Sequence, residues 1–219
     1  MKSKRLEALL TEIEKCNVLA DIGTDHGYLV EEAISRNLAN KVIATDISKS
    51  SLDKAKRNLE ELQCFDRVDF RCGDGMDVLA DKEADCIVIA GMGGKTITEI
   101  LKRDKHAKSY ILSPQSNVRE TRLFLVNNGF KILKDYTVRS GDKYYVIIKT
   151  VHGKDVLNDM EIAFGRTNVT SPNVDFIKYI DDLYRRFDAI RKEAKGNVPD
   201  AINEKLKEME ALRSDYEKY

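Results

Sequence analysis

The chain has no tryptophan, only three prolines, three histidines and four cysteines in 219 residues. The cysteines are Cys16, Cys64, Cys72 and Cys86, and no two of them make a C-x-x-C pair. That excludes a small secreted scaffold built on disulfides, and the spacing does not match a zinc site. His26, His106 and His152 lie far apart along the chain, so no metal is expected. Each cysteine sits in or beside an apolar stretch, which reads as a buried, reduced thiol. Lys+Arg and Asp+Glu both count 37, so no bulk positive field exists to hold nucleic acid; a local basic face stays open. No run of about 18 apolar residues is present, so no membrane span is expected. The N-terminal stretch MKSKRLEALLTEIEK is amphipathic and carries acids, unlike a secretory or transit signal. A cytoplasmic protein is the expectation, monomeric or weakly dimeric. What the chain does have is 42% hydrophobic residues, enough for a sizeable core.

Apolar runs alternate with helical patterns through residue 127. Val18-Leu19-Ala20 ends in Asp21-Ile22-Gly23, the form of a strand buried on both faces. Residues 41–45, 68–70, 84–90 and 110–112 read as further strands. Residues 1–15, 28–37, 48–63, 94–103 and 118–127 read as helices, with Ser48 as an N-cap. After Gly129 two strands, 131–138 and 143–151, are joined by only Arg139-Ser140-Gly141-Asp142, too short for a crossover, so they pair antiparallel. The expectation is an α/β fold: a mostly parallel sheet with helices on both faces and an antiparallel last strand. It spans residues 1–152. Residues 153–219 differ. Phe176, Ile180, Leu183, Phe187, Ile190 and Ala194 step by four and three, an a/d seam. Gly196-Asn197-Val198-Pro199 then breaks the pattern, with Asp200 placed as a cap, and Ile202, Leu206, Met209, Leu212 and Tyr216 form a second stripe. A coiled-coil-like helical hairpin is expected there.

The chemistry concentrates where strands end. After the first strand the chain reads Asp21-Ile22-Gly23-Thr24-Asp25-His26-Gly27-Tyr28. A glycine turn opening a helix is where such sheets hold an adenosine cofactor. The dinucleotide form, G-x-G-x-x-G, cradles a pyrophosphate. Here carboxylates flank the glycine, which repels a pyrophosphate and suits a cationic ligand such as S-adenosyl-L-methionine; the plain alternative is a structural turn. Asp46, with Ile47, closes the second strand and suits a ribose diol; the alternative is a helix cap. Gly73-Asp74-Gly75 after the third strand suits an adenine ring, with an ordinary turn as the alternative. Ala90-Gly91-Met92-Gly93-Gly94 after the fourth makes an open backbone at the crevice, with Met92 as an apolar wall or simply as core. Gly93-Gly94-Lys95-Thr96 lacks the spacing of a triphosphate loop.

In order, LADIGTDHGYL, ATDIS, GDGMDVL, IAGMGG, ILSPQSNV and GDKYYVII resemble the bacterial tRNA (adenine-22-N1)-methyltransferase family. The resemblance covers roughly residues 2–151. It implies a Rossmann-like class I methyltransferase sheet, S-adenosyl-L-methionine as donor, and N1 of adenine 22 in tRNA as acceptor. On that reading Asp21, Ile22, Gly23, Gly27, Tyr28, Asp46, Ile47, Gly73, Asp74, Gly75, Ala90 and Gly91 hold the cofactor. Asp25, His26, Gly91 and Met92 stand at the reacting centre; His26 either touches base or methionine carboxylate, or only braces its loop. Adenine N1 has a free lone pair, so no general base is required. tRNA needs local positive charge; Lys4, Arg5, Gly93, Gly94, Lys95, Arg119 and Arg122 are the substrate-side candidates, with Lys2, Lys102, Arg103, Lys105 and Lys108 as further lysines and arginines. The competing readings are a methyltransferase of the same fold acting on a small molecule or protein, and a non-catalytic RNA-binding protein.

Overall fold

The computed structural model describes residues 3–60, 65–194 and 198–216. Seven strands form one sheet in the order β3-β2-β1-β4-β5-β7-β6. They are β1 (Cys16–Ile22), β2 (Ala39–Asp46), β3 (Val68–Cys72), β4 (Cys86–Ala90), β5 (Ser109–Ser113), β6 (Phe130–Ser140) and β7 (Lys143–His152). The first five are parallel, and β7 runs antiparallel to both β5 and β6. Alternate residues of the central strands feed two separate cores. Ala20, Ile22, Ile87, Ile89 and Leu112 face one side; Leu19, Val88, Ile111 and Ile147 face the other. That two-sided burial is why these strands read as unbroken apolar runs. The helices α1 (Lys4–Glu12), α2 (Tyr28–Ser35) and α3 (Lys49–Leu59) cover the second face, while α4 (Gly94–Leu101) and α5 (Val118–Asn127) cover the first. Ser48 caps α3 through Ser51 N–H at 3.3 Å, as its sequence position suggests.

The alternation has one gap. No helix joins β3 to β4; Met76 and Leu79, both almost fully buried, fill the place of a crossover helix. Cys72 corrects the expectation of buried thiols. It is exposed at the end of β3, an edge strand that pairs only with β2. Cys86 is buried, Cys16 half-buried, and Cys64 lies outside the described residues. Two of the histidines also come together. The return of β7 beside β5 stacks His152 on His106, with ring centroids 5.4 Å apart.

Beyond β7 the chain forms α6 (Asp159–Phe164), α7 (Arg166–Thr170), α8 (Val174–Glu193) and α9 (Asp200–Tyr216). The long pair α8–α9 is the expected hairpin, closed on Phe176, Ile180, Leu206, Met209 and Leu212. The expected turn at Gly196-Asn197 lies outside the described residues, and Asp200 opens α9. Ile190 is half exposed, so the seam is buried at its start and opens toward the tip. The short α6 and α7 are not legible in the sequence, yet they do specific work. β6 is the other edge of the sheet, and four of its N–H groups are taken by side chains from the tail. Ile132 N–H donates to Asp155, Asp135 N–H to Thr167, Thr137 N–H to Asn168 and Arg139 N–H to Asp175. An open strand edge is a template for association; here side chains close it.

Arg122 corrects the expectation of a tRNA contact. Its side chain is 2% exposed, and its guanidinium makes a bidentate pair with Asp135 at 2.6 and 3.0 Å. The remaining donor, Nη1, reaches the carbonyls of Ile162 and Ala163 at the end of α6. Its helical position on α5 points into the joint between sheet and tail, so it never reaches solvent. Arg119, one turn earlier, is exposed.

Candidate functional site

The sheet order reverses between β1 and β4, each having its own chain neighbour on the far side. Such a reversal opens a crevice at the carboxyl ends of the strands. A cavity of about 360 Å³ lies there, walled by the β1–α2 turn, the end of β2, the β4–α4 loop and α1.

The β1–α2 turn is held by its backbone. Gly23 and Thr24 N–H both donate to Thr45 C=O at 2.8 and 2.9 Å, tying the turn to β2. Gly23 has φ +81° and Gly27 has φ +79°, a conformation glycine adopts without strain. Asp25 takes φ +47° with a side chain, a strained backbone that sets its carboxylate at the mouth. Asp21 lies 5% exposed in the cavity floor. Burial pushes its carboxyl up to about 7; the Thr24 hydroxyl pulls the other way and the charge of Asp46 adds to the rise. Asp46 sits half-buried, and its Oδ1 accepts Ser48 N–H at 2.8 Å. It therefore orders the start of α3 while still lining the cavity. His26 Nε2 is 3.6 Å from the Asp25 carboxylate, and its ring stacks on the exposed Tyr28 at 5.6 Å.

The other expected positions divide. Ala90, Gly91 and Met92 line the cavity opposite the turn. Met92 lies over Gly23, where a Cβ would stand 2.3 Å from its Cε. Gly91 has φ +87° with open space around it. Ile22 is core, and Ile47 is 71% exposed at the rim. Gly73 joins the site through its N–H to Asp46 C=O, 3.0 Å. Asp74 is exposed and shared with Asp77 by Arg103, at 2.9 and 2.6 Å, so the loop that begins at Gly73 and carries Gly75 is clamped from α4's end. Gly93 caps α4, and Lys4 and Lys95 are exposed. Gly94 is not a contact for a substrate: it is buried where α4 meets α5. A Cβ there would stand 2.4 Å from Thr121 Oγ1 and 2.6 and 2.7 Å from two backbone carbonyls. Gly94→Ala is expected to cost about 1–3 kcal/mol by overpacking, read as a lowered denaturant midpoint.

Sequence reasoning missed the roof. Ser3, Arg5, Leu6 and Leu9 of the α1 segment line the cavity; an amphipathic stripe does not say that part of it faces a void. It also missed the stitching of two loops, Gln115 N–H to Met92 C=O at 2.9 Å and Gly94 N–H to Ser116 C=O at 2.8 Å. Together these make a rigid wall at the ends of β4 and β5. Three carboxylates, Asp21, Asp25 and Asp46, against one guanidinium, Arg5, leave the cavity electronegative. It suits a ligand that carries positive charge.

A methyltransferase domain model matches residues 2–148. The tRNA (adenine(22)-N(1))-methyltransferase of Bacillus subtilis (strain 168) is 33% identical over 150 residues, 67% of this chain and 63% of that protein. The chain belongs to this methyltransferase family. Its match therefore spans a little under two thirds of that curated relative. Among solved structures, the B. subtilis M1A22 tRNA methyltransferase superposes with a TM-score of 0.79 at 27% identity, over 98% of this chain and 96% of that one. The M. capricolum relative, in complex with S-adenosyl-homocysteine, gives 0.85 at 26% identity, over 98% of each chain. The family's sheet, with its antiparallel β7, is the one seen here.

Proposed function

We propose that this protein transfers the methyl group of S-adenosyl-L-methionine to N1 of adenine 22 in tRNA. The observation that carries the reading is the acidic, glycine-lined cavity at the strand reversal, with Asp21 and Asp46 closing adjacent strands. Bound there, S-adenosyl-L-methionine supplies an electrophilic methyl on a sulfonium. Asp46 takes the ribose diol, and Asp21 meets the cationic amino-acid end. The Gly73–Gly75 loop leaves room for the adenine ring. Asp25, His26, Gly91 and Met92 flank the acceptor. N1 would attack the methyl with its own lone pair as the S–CH3 bond breaks and S-adenosyl-homocysteine leaves, so the chain contributes alignment and no general base. The rigid wall made by the two stitched loops fits that task.

The target base must leave its stack to enter the crevice. The free backbone around Gly91, with Gly93 and Lys95 at the mouth, grips it. Lys4 and Arg119 are exposed cations for the phosphates, and the α8–α9 arm braces the folded tRNA by shape. Such a substrate puts the protein in the cytoplasm. Incubating purified protein with unmodified tRNA and donor, then mapping nucleosides by mass, should place 1-methyladenosine at position 22. Methyl groups at another position or on another base would sink the assignment, and no transfer at all would sink tRNA as substrate.

A further inference from the structure

The turn Ser113-Pro114-Gln115-Ser116-Asn117 leaves β5 beside Ala90, the last residue of β4. Ser113 and Pro114 are buried, and the proline fixes its own φ. Ser113 Oγ accepts Arg5 Nε at 3.2 Å, so Arg5 roofs the cavity and braces this turn. Gln115 N–H donates to Met92 C=O, and Ser116 C=O accepts Gly94 N–H. The backbone of Gln115 is therefore fixed beside Met92, a wall of the cavity, while its side chain is exposed at the rim. Among the described residues its amide has no hydrogen-bond partner. The other polar side chains of the two stitched loops are committed or of the wrong kind. Ser116 Oγ donates to Asn117 Oδ1 at 3.2 Å, Ser113 is buried, and Lys95 offers donors only. Gln115 alone in these loops presents an uncommitted acceptor and donor in one plane.

Methylation at N1 of adenine sets a constraint on how the base is held. N1 must keep its lone pair for the methyl, so a protein group that bonds the N1–N6 edge would block the reaction. Adenine has to be told from the other bases elsewhere. Its N6 amino group and N7 form the remaining edge, one donor beside one acceptor, and a glutamine amide matches both at once. Unstacked RNA bases are read on this edge as well as on the Watson–Crick edge. We propose that Gln115 is the residue that selects adenine, with Oε1 accepting an N6 hydrogen and Nε2 donating to N7, which leaves N1 free for the methyl. Guanine has acceptors at both places, so either orientation of the amide sets Oε1 against one of them. The assignment rests on the reading of a tRNA adenine as the acceptor.

Steady-state methylation of two tRNAs, one with adenosine and one with 7-deazaadenosine at position 22, tests the assignment. The deaza base keeps N1 and the amino group and replaces N7 by C–H. Its N1 is intrinsically more basic, which acts on every variant alike. The readout is therefore how the ratio of kcat/KM for the two substrates changes with residue 115. Gln115→Leu is expected to lower kcat/KM on adenosine and to shift the ratio toward the deaza substrate by about tenfold, the scale of one hydrogen bond left unmade. Gln115→Glu keeps an acceptor for the amino group but sets a second acceptor against N7, so it should shift the ratio further the same way. Calorimetric binding of S-adenosyl-homocysteine checks that each variant is folded. A ratio that is the same in all three proteins, or that moves toward adenosine, overturns the assignment and leaves methylation of adenine standing. A wild type that methylates neither tRNA sinks tRNA as substrate and the role of Gln115 with it.

Discussion

Replacing Arg122 with methionine is expected to lower the unfolding free energy by about 3–5 kcal/mol, the cost of leaving a buried charge unpaired. The charge left behind is Asp135, 0% exposed. The carbonyls of Ile162 and Ala163 lose a donor at the same time. For a chain of this size that is a fall in Tm of roughly 6–20 °C. Arg119→Met, on the exposed face of the same helix, should stay within about 0.5 kcal/mol of wild type. The double variant Arg122→Met, Asp135→Leu removes both charges together, and it should recover much of the loss. Thermal unfolding of the four proteins decides the matter. A cost below about 1 kcal/mol for Arg122→Met, or a double variant as unstable as the single one, would show that the pair does not hold the joint.

The joint matters because it links the acceptor wall to the tail. Arg122 stands on α5, whose preceding loop is stitched to Met92 and Gly94. Through Asp135 it reaches β6, and through Ile162 and Ala163 it reaches α6. Gly165, which follows α6, packs so closely that a Cβ would stand 2.6 Å from Asp135 Oδ1. Beside this knot, tail side chains occupy four N–H groups of β6. An arm that meets tRNA by shape must be rigid relative to the crevice, and these contacts fix α8 to the sheet. Tyr144 of β7 adds a hydrogen bond to Asp182 of α8 at 2.7 Å.

The strands were legible because burial on both faces leaves unbroken apolar runs such as CIVIA, which few other structures produce. The helix 118–127 was legible to the residue, with Asn117 before it and Gly129 after. The site was legible where backbone geometry demands glycine beside acid, as at Asp21-Ile22-Gly23. Arg122 was misread because arginines on an amphipathic helix are normally solvated, as Arg119 is on the same helix. Only its partner, thirteen residues on in β6, makes it a core residue. α6 and α7 are too short to show a period. α6 is held by its cap, Asn158 and Glu161 exchanging hydrogen bonds, and α7 by the strand edge, through Thr167 and Asn168. The third crossover has no helix because two apolar residues, Met76 and Leu79, suffice to fill its place. Arg5 was read as a phosphate contact because α1's fold over the cavity depends on Ser113 and Tyr145, more than a hundred residues away.

Lowering the pH from 8 to 5 is expected to weaken cofactor binding by about a hundredfold, because Asp21 must give up a proton to receive a cation. Its carboxyl stands at about 7 in the free protein, raised by burial. The sign follows. Above that value the group is ionised and binding is independent of pH; below it, each unit costs about tenfold as the neutral form takes over. Binding at pH 6 should therefore release close to one proton, measurable by calorimetry in buffers of different ionisation enthalpy. Asp21→Asn should bind weakly with a flat profile over the same range. The free protein gives an independent check. A carboxyl whose pKa is higher folded than unfolded favours the folded state through its protonated form. Asp21's contribution to stability is thus full below its unfolded value near 4 and is lost as the pH rises through about 7. Asp21→Asn should be the more stable protein at pH 8 and the poorer binder. A wild-type affinity unchanged between pH 8 and 5, or no proton released at pH 6, would mean that Asp21 is already ionised in the free cavity. The coupling between burial and cofactor charge would then be absent.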